Sequence, residues 1–185
     1  MCRRYSTNKT RRQLERARRV LAMKNIRQVT YKPIGVIRSP FNEAEGMPIQ
    51  SAGAKGVAGT LEILPQYCAG LRDVTGFSHI ILLYHFHLAK GYSLETQPYM
   101  DGKPHGIFAT RMPGRPNAIG ISVVRLVMVE GCLVHIEDVD VLDGTPLLDI
   151  KPYVTDFDVR KTEREGWLSD ISGAVYNKKS DGRFW

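Results

Sequence analysis

Apolar and polar residues alternate along several short stretches of the chain, a period of two that is typical of half-buried β-strands. The pattern predicts five strands: "YKPIGVIRS" (31–39), "TLEILP" (60–65), "SHIILLYHFHL" (78–88), "IGISVVRLVMV" (119–129) and "CLVHIEDVDVL" (132–142). Glu130-Gly131 separates the last two and predicts a tight hairpin between them.

No segment between these strands combines the length and the 3.6-residue period of a crossover helix, so a parallel βαβ sheet is not expected. Strands of this length in a small domain most simply curl into a barrel. We therefore expect a mainly β fold, namely a small closed or nearly closed β-barrel with few short helices. The chain also has no GxGxxG at a strand-to-helix turn, which excludes the usual dinucleotide-binding fingerprint.

Composition indicates one globular domain with a proper core, because 43% of the 185 residues are hydrophobic and 24% are charged. The longest apolar run, "IILLY" (80–84), is too short to span a bilayer, so no membrane partner is expected. Cys2, Cys68 and Cys132 are an odd number without CxxC spacing, which argues against a disulfide framework and against a zinc site. With no secretory signal visible, these features indicate a cytoplasmic protein.

Positive charge is concentrated at the N-terminus. Residues 1–30 contain ten Lys or Arg against one acid, whereas the other 155 residues contain sixteen against eighteen acids. "TRRQLERARRVLAMK" (10–24) has a capping-box spacing and an apolar stripe, which predicts a basic amphipathic helix for RNA phosphates or an anionic membrane surface. The alternatives are a disordered tail, or an extension upstream of a true start at Met23.

The expected organisation thus has three parts. They are a basic N-terminal arm, helical or disordered, over residues 1–30, a β-barrel domain over 31–168, and a C-terminal tail over 169–185.

One connector is unusually rigid and cationic: "GIFATRMPGRPNAIGIS" (106–122). Two prolines and two glycines within residues 113–120 specify one loop shape, and Arg111, Arg115 and Asn117 lie among or beside them. A loop held in one shape can present guanidinium groups to an anion at a low ordering cost. The alternative is an ordinary well-made turn with solvated arginines.

A second shaped loop lies in "DVDVLDGTPLLDIKPYV" (138–154). Asp143-Gly144 is a turn signal, and Asp149, Lys151 and Tyr153 alternate onto one face after it. Both loops flank strands that a hairpin joins, so they predict a polar pocket at the rim of the barrel.

Three histidines, His79, His85 and His87, are predicted on one face of a single strand. A cupin-like metal site would need Glu95 and either His105 or His135 as further ligands, and this spacing is wrong for a cupin. Histidines that are packed and hydrogen-bonded in the barrel wall are therefore favoured, and no metal ligand is assigned.

Four motifs occur in an order that resembles one family. They are "IGVIRSPF" (34–41), "GFSHIILLYHFH" (76–87), the loop at 106–122 and "LDGTPLLDIKPYV" (142–154). Over residues 31–168 the chain resembles the TsaA-like family, also called TrmO. The resemblance implies an S-adenosylmethionine-dependent tRNA methyltransferase that is built on a β-barrel and acts as a homodimer. The implied reaction is methyl transfer to N6 of threonylcarbamoylated adenosine beside the anticodon, with the tRNA anticodon stem-loop as partner.

The resemblance also implies a set of cofactor contacts. Carried over motif by motif, they are Pro48, Ile49, Gln50, His87, Leu88, Arg111, Ile121, Glu137, Asp138, Val139 and Asp140. The chain departs from the family pattern at three places, since Ile49 replaces an arginine, Met112 a serine and Ala118 a proline.

Chemistry suggests roles for the remaining candidates. Arg111 and Arg115 suit a carboxylate, either that of methionine or that of the threonyl group, and Asn117 suits an adenine edge. Asp143, Lys151 and Tyr153 are candidates for orienting the base and removing its proton, with the proton acceptor left open. The alternative functions are a barrel that binds S-adenosylmethionine without catalysis and, less favoured, a cupin-like metalloprotein.

Overall fold

A computed structural model describes residues 28–169, 171, 173 and 176–184. By their contacts, residues 1–31 and residues 32–185 are two separate compact units. The predicted basic helix at 10–24 lies outside the described residues. Residues 169–185, expected to form a tail, belong to the same unit as the barrel.

The described chain contains eight strands. They are β1 (Gly35–Arg38), β2 (Gly59–Ile63), β3 (His79–His85), β4 (Glu95–Thr96), β5 (His105–Gly106), β6 (Ile119–Glu130), β7 (Leu133–Glu137) and β8 (Thr145–Pro152). Six of them close into an antiparallel barrel in the order β1-β2-β7-β6-β3-β8, while β4 and β5 form a separate two-stranded ribbon. The predicted mainly β fold with a closed barrel is therefore confirmed.

Helices are few and short, as expected. The 3₁₀ helices are Ser51–Gly53, Pro65–Leu71, Val74–Gly76, Ile107–Ala109 and Gly166–Leu168, and a single turn of α-helix, α1, spans Thr155–Asp158. Among the described residues, none of the helices has the length and apolar character that crossing a membrane requires.

Alternation along the strands fills the barrel, because every second side chain points inwards. On β3, Ile80, Leu82 and Tyr84 are buried while the residues between them are more exposed. The interior is completed by fully buried side chains from the other strands: Ile37, Leu61, Val124, Val134, Ile136 and Leu147. The predicted hairpin is also confirmed, since β6 ends at Glu130 and Gly131 adopts a φ of +60° in the turn before β7.

The register defines two ends of the barrel. One rim gathers the end of β3 and the start of β6, where Tyr84 pairs with Gly120, together with the start of β8, where Thr145 pairs with Ile37. The opposite rim gathers the start of β3 and the end of β8. The first of these ends, hereafter the site rim, carries the cavity described below.

The cysteine prediction was wrong for one pair, because Cys68 and Cys132 form a disulfide with their Cα atoms 5.1 Å apart. They are separated by 64 positions in the chain, so no local spacing of cysteines predicts the pair. Pairing of β2 with β7 brings them together: Ile63 N–H donates to Cys132 O at 2.9 Å, and Cys68 lies on the 3₁₀ helix that follows β2.

Candidate active site

A cavity of about 710 Å³ opens at the site rim, a size typical of small-molecule sites. Four segments of the chain form its walls: the loop before β2, the loop between β4 and β6, the ends of β3 and β6 at the rim, and the C-terminal segment. Its lining residues include Pro48, Ile49, Gln50, Tyr84, Phe86, Phe108, Arg111, Arg115, Ile119, Gly120, Ile121, Asp140, Trp167 and Leu168.

The rigid loop is held in shape by one of its own arginines. Arg115 Nη1 donates to the carbonyl oxygens of Thr110 at 2.8 Å, Ile107 at 3.2 Å and Met112 at 3.5 Å. Because these carbonyls lie on the segment that carries Arg111, Arg115 fixes the position of that neighbouring guanidinium. The prolines explain part of the stiffness of this loop, and the guanidinium of Arg115 explains another part.

Arg111 joins two walls of the cavity. Its Nη1 donates to Gln50 Oε1 at 3.1 Å, across 61 positions of sequence. Gln50 immediately precedes the 3₁₀ helix Ser51–Gly53, so the bond ties the loop before β2 to the loop before β6. The remaining N–H groups of an exposed guanidinium are suited to an anionic ligand.

The floor of the cavity carries a polar chain in which Tyr84 and Ser122 are buried and Asp140 is half-buried. Ser122 Oγ donates to Asp140 Oδ1 at 2.6 Å, and Tyr84 Oη lies 3.0 Å from Ser122 Oγ. Since the one serine proton is donated to the carboxylate, the tyrosine is the donor to Ser122. Burial raises the pKa of Asp140 to about 6, while the hydrogen bond from Ser122 and the charge of Arg111 act in the opposite direction. Burial and the charge of Asp140 also raise the pKa of Tyr84, so the phenol stays protonated.

Glycine is required where β6 passes Tyr84. A Cβ atom placed on Gly120 would lie 2.1 Å from Cε2 of the Tyr84 ring, a distance that no real contact allows. The absent side chain therefore lets the phenol reach Ser122 and form part of the cavity wall.

The C-terminal segment forms a wall that the sequence did not predict. Trp167 Nε1 donates to Ala109 O at 2.8 Å, and its ring stacks on His105 with centroids 4.5 Å apart and planes at 19°. Further along, Ser180 N–H donates to Met47 O at 2.9 Å, and Ser180 Oγ lies 2.8 Å from Tyr99 Oη. No periodic pattern marks the sequence around Trp167, Leu168 and Ser180, so their place in the cavity wall could not be predicted from it.

Seven of the predicted site residues meet in this cavity. They are Pro48, Ile49, Gln50, Arg111, Arg115, Ile121 and Asp140. Tyr84, Phe108, Trp167 and the hydroxyl of Ser122 were missed. Tyr84 and Phe108 lie within motifs quoted above, but nothing in those motifs distinguishes them from core residues.

Three other predicted cofactor contacts lie outside the cavity lining, because each has another partner or is packed in the core. Glu137 pairs with Arg125 at 3.9 Å, Asp138 Oδ1 accepts from Gly56 N–H at 2.7 Å, and Val139 is fully buried in the core.

His87 and Leu88 lie beyond the end of β3, which stops at His85. His79 and His85 share the outer face of that strand as predicted, whereas His87 does not belong to it. His87 Nδ1 lies 3.4 Å from Thr145 Oγ1, and burial, with a smaller contribution from His85, lowers its pKa. Leu88 is exposed.

The four remaining catalytic candidates also lie outside the lining. The backbone carbonyl oxygen of Asn117 accepts a hydrogen bond from Ile119 N–H at 2.8 Å. Asp143 Oδ1 accepts from Ser39 N–H at 3.1 Å, and its other oxygen lies 3.5 Å from Arg38 Nη1, so the carboxylate braces the end of β1.

Lys151 and Tyr153 lie at the opposite end of the barrel from the cavity. Lys151 pairs with Asp149 at 2.8 Å, which agrees with their predicted common face. Tyr153 N–H donates to His79 O at 3.1 Å, at the first residue of β3, whereas Tyr84 lies near its last. Five residues of strand separate these points by about 17 Å. Neither Lys151 nor Tyr153 lines the cavity with Arg111 in this chain, and their catalytic roles stay a prediction.

The cupin-like alternative has no donor set in the part of the chain that the structure describes. Nowhere there do three His, Cys, Asp or Glu side chains gather closely enough to hold a metal ion. Of the histidines considered above as ligands, His105 Nε2 lies 2.9 Å from Asp101 Oδ2, and His135 Nε2 lies 3.1 Å from Glu130 Oε2.

Comparison with known proteins agrees with this geometry. A protein of Pyrococcus abyssi named as a probable S-adenosyl-L-methionine-binding protein is 55% identical over 157 residues, which are 85% of this chain and 85% of that protein. The tRNA (adenine(37)-N6)-methyltransferase of Mus musculus is 38% identical over 69% of this chain but only 31% of its own length.

Among solved structures, that of TrmO from Pseudomonas aeruginosa matches with a TM-score of 0.65 and 40% identity, over 76% of this chain and 63% of that chain. The family model for the tRNA-methyltransferase O N-terminal domain matches residues 36–159, which hold Arg111, Asp140 and most of the cavity wall. The chain belongs to the TrmO family, through its tRNA-methyltransferase O N-terminal domain.

Proposed function

We propose that the chain binds S-adenosylmethionine in the cavity at the site rim and transfers its methyl group to an adenosine of tRNA. One observation carries the proposal: a guanidinium, that of Arg111, and a carboxylate, that of Asp140, line the same largely apolar cavity. This donor set fits a ligand with a carboxylate, positive charge and an apolar body. The names of the relatives from Pyrococcus abyssi and Mus musculus support it.

The residues present fit the cofactor, which supplies an electrophilic methyl group when it is bound. Arg111, oriented by Gln50, would hold the carboxylate of the methionine part. Asp140, oriented by Ser122, would face the positive charge of the ligand. The apolar residues of the rim would exclude water, which strengthens both interactions.

We propose N6 of threonylcarbamoylated adenosine beside the anticodon as the accepting atom. Arg115 lines the cavity and uses Nη1 within its own loop, and a guanidinium has further N–H donors that can reach the threonyl carboxylate. A base in a single-stranded loop can leave its stack and enter such a pocket. Because tRNA is the substrate in this proposal, the protein would act in the cytoplasm.

We further propose a homodimer. The outer face of β6 next to the cavity is apolar, and Ile119 and Ile121 are exposed on it. A contiguous exposed apolar face is typical of an interface. Neither Lys151 nor Tyr153 lines the cavity of its own chain, so a catalytic role for either would place it at the cavity of a second copy.

Methylation of tRNA in vitro tests the main proposal. The purified chain, S-adenosylmethionine and tRNA that carries threonylcarbamoyladenosine should give a nucleoside heavier by one methyl group in mass spectrometry. Arg111→Ala should lower this activity strongly, whereas Arg125→Ala, on the outer face of β6, should not. Binding of S-adenosylmethionine with no methylated nucleoside would instead indicate a non-catalytic binding protein.

Two further measurements test the proposed recognition of the threonylcarbamoyl group and the proposed homodimer. Transcripts without the threonylcarbamoyl group should be poor acceptors, and equal rates on both RNAs would rule out recognition of that group. Light scattering should give twice the chain mass, and an Ile121→Asp variant should give the mass of one chain. A wild-type protein of single-chain mass would contradict the homodimer.

A further inference from the structure

Two aromatic side chains, Phe108 and Trp167, border the cavity on the side of its C-terminal wall and are hereafter called the aromatic lip. Phe108 lines the cavity, yet 76% of its surface is exposed, while Ile107 in the same 3₁₀ helix is buried and anchors that helix. Trp167 and Leu168 line the cavity as well. Phe108 therefore shares the lining of one cavity with these apolar side chains and is not an isolated exposed residue, and an apolar surface at a pocket mouth marks a binding site.

Trp167 is fixed before any ligand arrives. One face of its ring stacks on His105, whose Nε2 lies 2.9 Å from Asp101 Oδ2, and its Nε1 is bonded to Ala109 O, next in sequence to Phe108. The second face of the indole is the one that can contact a ligand. Since its orientation is already set, stacking on it costs little conformational entropy.

The aromatic lip and the polar floor of the cavity are suited to different kinds of ligand group. Arg111, Gln50 and Asp140 suit a charged ligand, whereas Phe108 and Trp167 suit a flat, uncharged ring. Aromatic side chains beside guanidinium groups are the usual surface on which proteins stack an unpaired nucleobase of RNA.

We infer that Phe108 and Trp167 form the surface on which the methyl-accepting adenine of the RNA stacks, separate from the groups that hold the cofactor. The inference rests on the proposed function, and it assigns the RNA-binding part of that site to residues that no motif singled out. The C-terminal segment, beyond the matched family domain at 36–159, thereby contributes to substrate binding.

The test uses a synthetic anticodon stem-loop RNA and the same RNA with an abasic residue at the accepting position. Phe108→Ala should weaken binding of the complete RNA by about 10-fold to 100-fold, the range that base stacking supports. It should leave the abasic RNA unaffected. Phe108→Tyr should restore binding, and Phe77→Ala, at an exposed phenylalanine two residues before β3, is the matched control.

Trp167 gives an independent readout. The chain contains two tryptophans, so Trp185→Phe leaves Trp167 as the only one, and its fluorescence should be quenched by the complete RNA but not by the abasic one. Calorimetry with S-adenosylmethionine should show unchanged affinity for Phe108→Ala. A loss of cofactor affinity would place the cofactor, and not the RNA base, on the lip and would overturn the inference.

The outcomes separate this inference from the proposed function. If wild-type protein binds complete and abasic RNA equally well, no base stacks at the accepting position and the inference is wrong, while the methylation assay still decides the proposed function. If wild-type protein discriminates between them and Phe108→Ala discriminates equally well, the aromatic lip is not the stacking surface.

Discussion

Ser122 Oγ donates to Asp140 Oδ1 at 2.6 Å, which joins β6 to the segment after β7 at the floor of the cavity. The carboxyl is the titrating group of this floor, since the raised pKa of Tyr84 keeps that phenol neutral. Burial raises the pKa of Asp140 to about 6, so its charge changes close to neutrality.

Affinity for S-adenosylmethionine should therefore depend on pH. A positively charged ligand binds the ionised carboxylate, so affinity should rise as pH increases from about 5 to about 7, by up to about tenfold per unit below the pKa. Asp140→Asn should bind more weakly at pH 7 and should show little dependence on pH. Calorimetry across this range checks it, and a pH-independent affinity in the wild type would show that Asp140 does not face the ligand's charge.

The same carboxyl should limit stability at higher pH. Its pKa in the folded state is raised above the unfolded value, so the folded state holds the proton more tightly between about pH 4 and about pH 6. Wild-type stability should consequently fall as pH rises through this window, by on the order of 1–3 kcal/mol. Urea unfolding at both ends of the window should show the loss for wild type and for Asp149→Asn but not for Asp140→Asn. A parallel loss in Asp140→Asn would exclude this carboxyl as its source.

More of the barrel than of its cavity could be predicted from the sequence. Alternation along β3 and the glycine after Glu130 are local signals, and both the strand and the hairpin were predicted from them. The Cys68–Cys132 pair and the Arg111–Gln50 bond depend on strand pairing and loop folding over 64 and 61 positions. No local pattern encodes such distances, so the disulfide was missed and the motif resemblance alone placed Arg111 and Gln50 together.

The position of some catalytic candidates outside the cavity has a similar cause. Lys151 follows Asp143 by eight residues, and both were predicted to lie in one loop region. The structure shows that β8 begins two residues after Asp143 and that Lys151 lies near the end of this strand, away from the site rim. Asp140, three residues before Asp143, lines the cavity instead. Sequence proximity predicts a shared site only where the chain does not cross the barrel in between.

Gly120→Ala should damage the site more than it damages the barrel. The added methyl group would collide with the Tyr84 ring, and the ring would have to leave Ser122 and the cavity wall. We expect a loss of about 1–3 kcal/mol in stability, typical of overpacking, together with weaker cofactor binding. Gly76→Ala, whose Cβ would meet nothing within 4 Å, is the control. Thermal unfolding and calorimetry measure both effects, and wild-type values for Gly120→Ala would contradict this close approach.

The disulfide should stabilise the barrel substantially. A cross-link that closes a loop of 64 positions restricts the unfolded chain by about 4 kcal/mol in the entropic estimate. Cys132→Ser should therefore lower the unfolding temperature, and dithiothreitol should lower that of the wild type but not that of the variant. Cys2→Ser is the control, because Cys2 is not one of the two bonded cysteines. Equal unfolding temperatures with and without reductant in the wild type would contradict the bond.

The basic arm, residues 1–30, gives a last prediction, one that depends on its charge alone because residues 1–27 lie outside the described structure. If the arm binds RNA phosphates, deleting residues 1–24 should raise KM for tRNA and flatten its dependence on salt. The log–log slope should fall by somewhat under about one unit for each phosphate that the arm neutralises. The affinity for S-adenosylmethionine should stay the same, because the matched domain at 36–159 remains intact.

A variant with every arginine of the arm changed to lysine is the matched control, since phosphate binding that needs only positive charge should survive it. The effect of the deletion should also be equal for anticodon loops of different sequence, because phosphate contacts position the RNA without reading its bases. Methylation kinetics at several salt concentrations measure both quantities. Should the truncated protein keep the wild-type KM and salt slope, the concentration of ten basic residues in the first thirty positions has no part in tRNA binding.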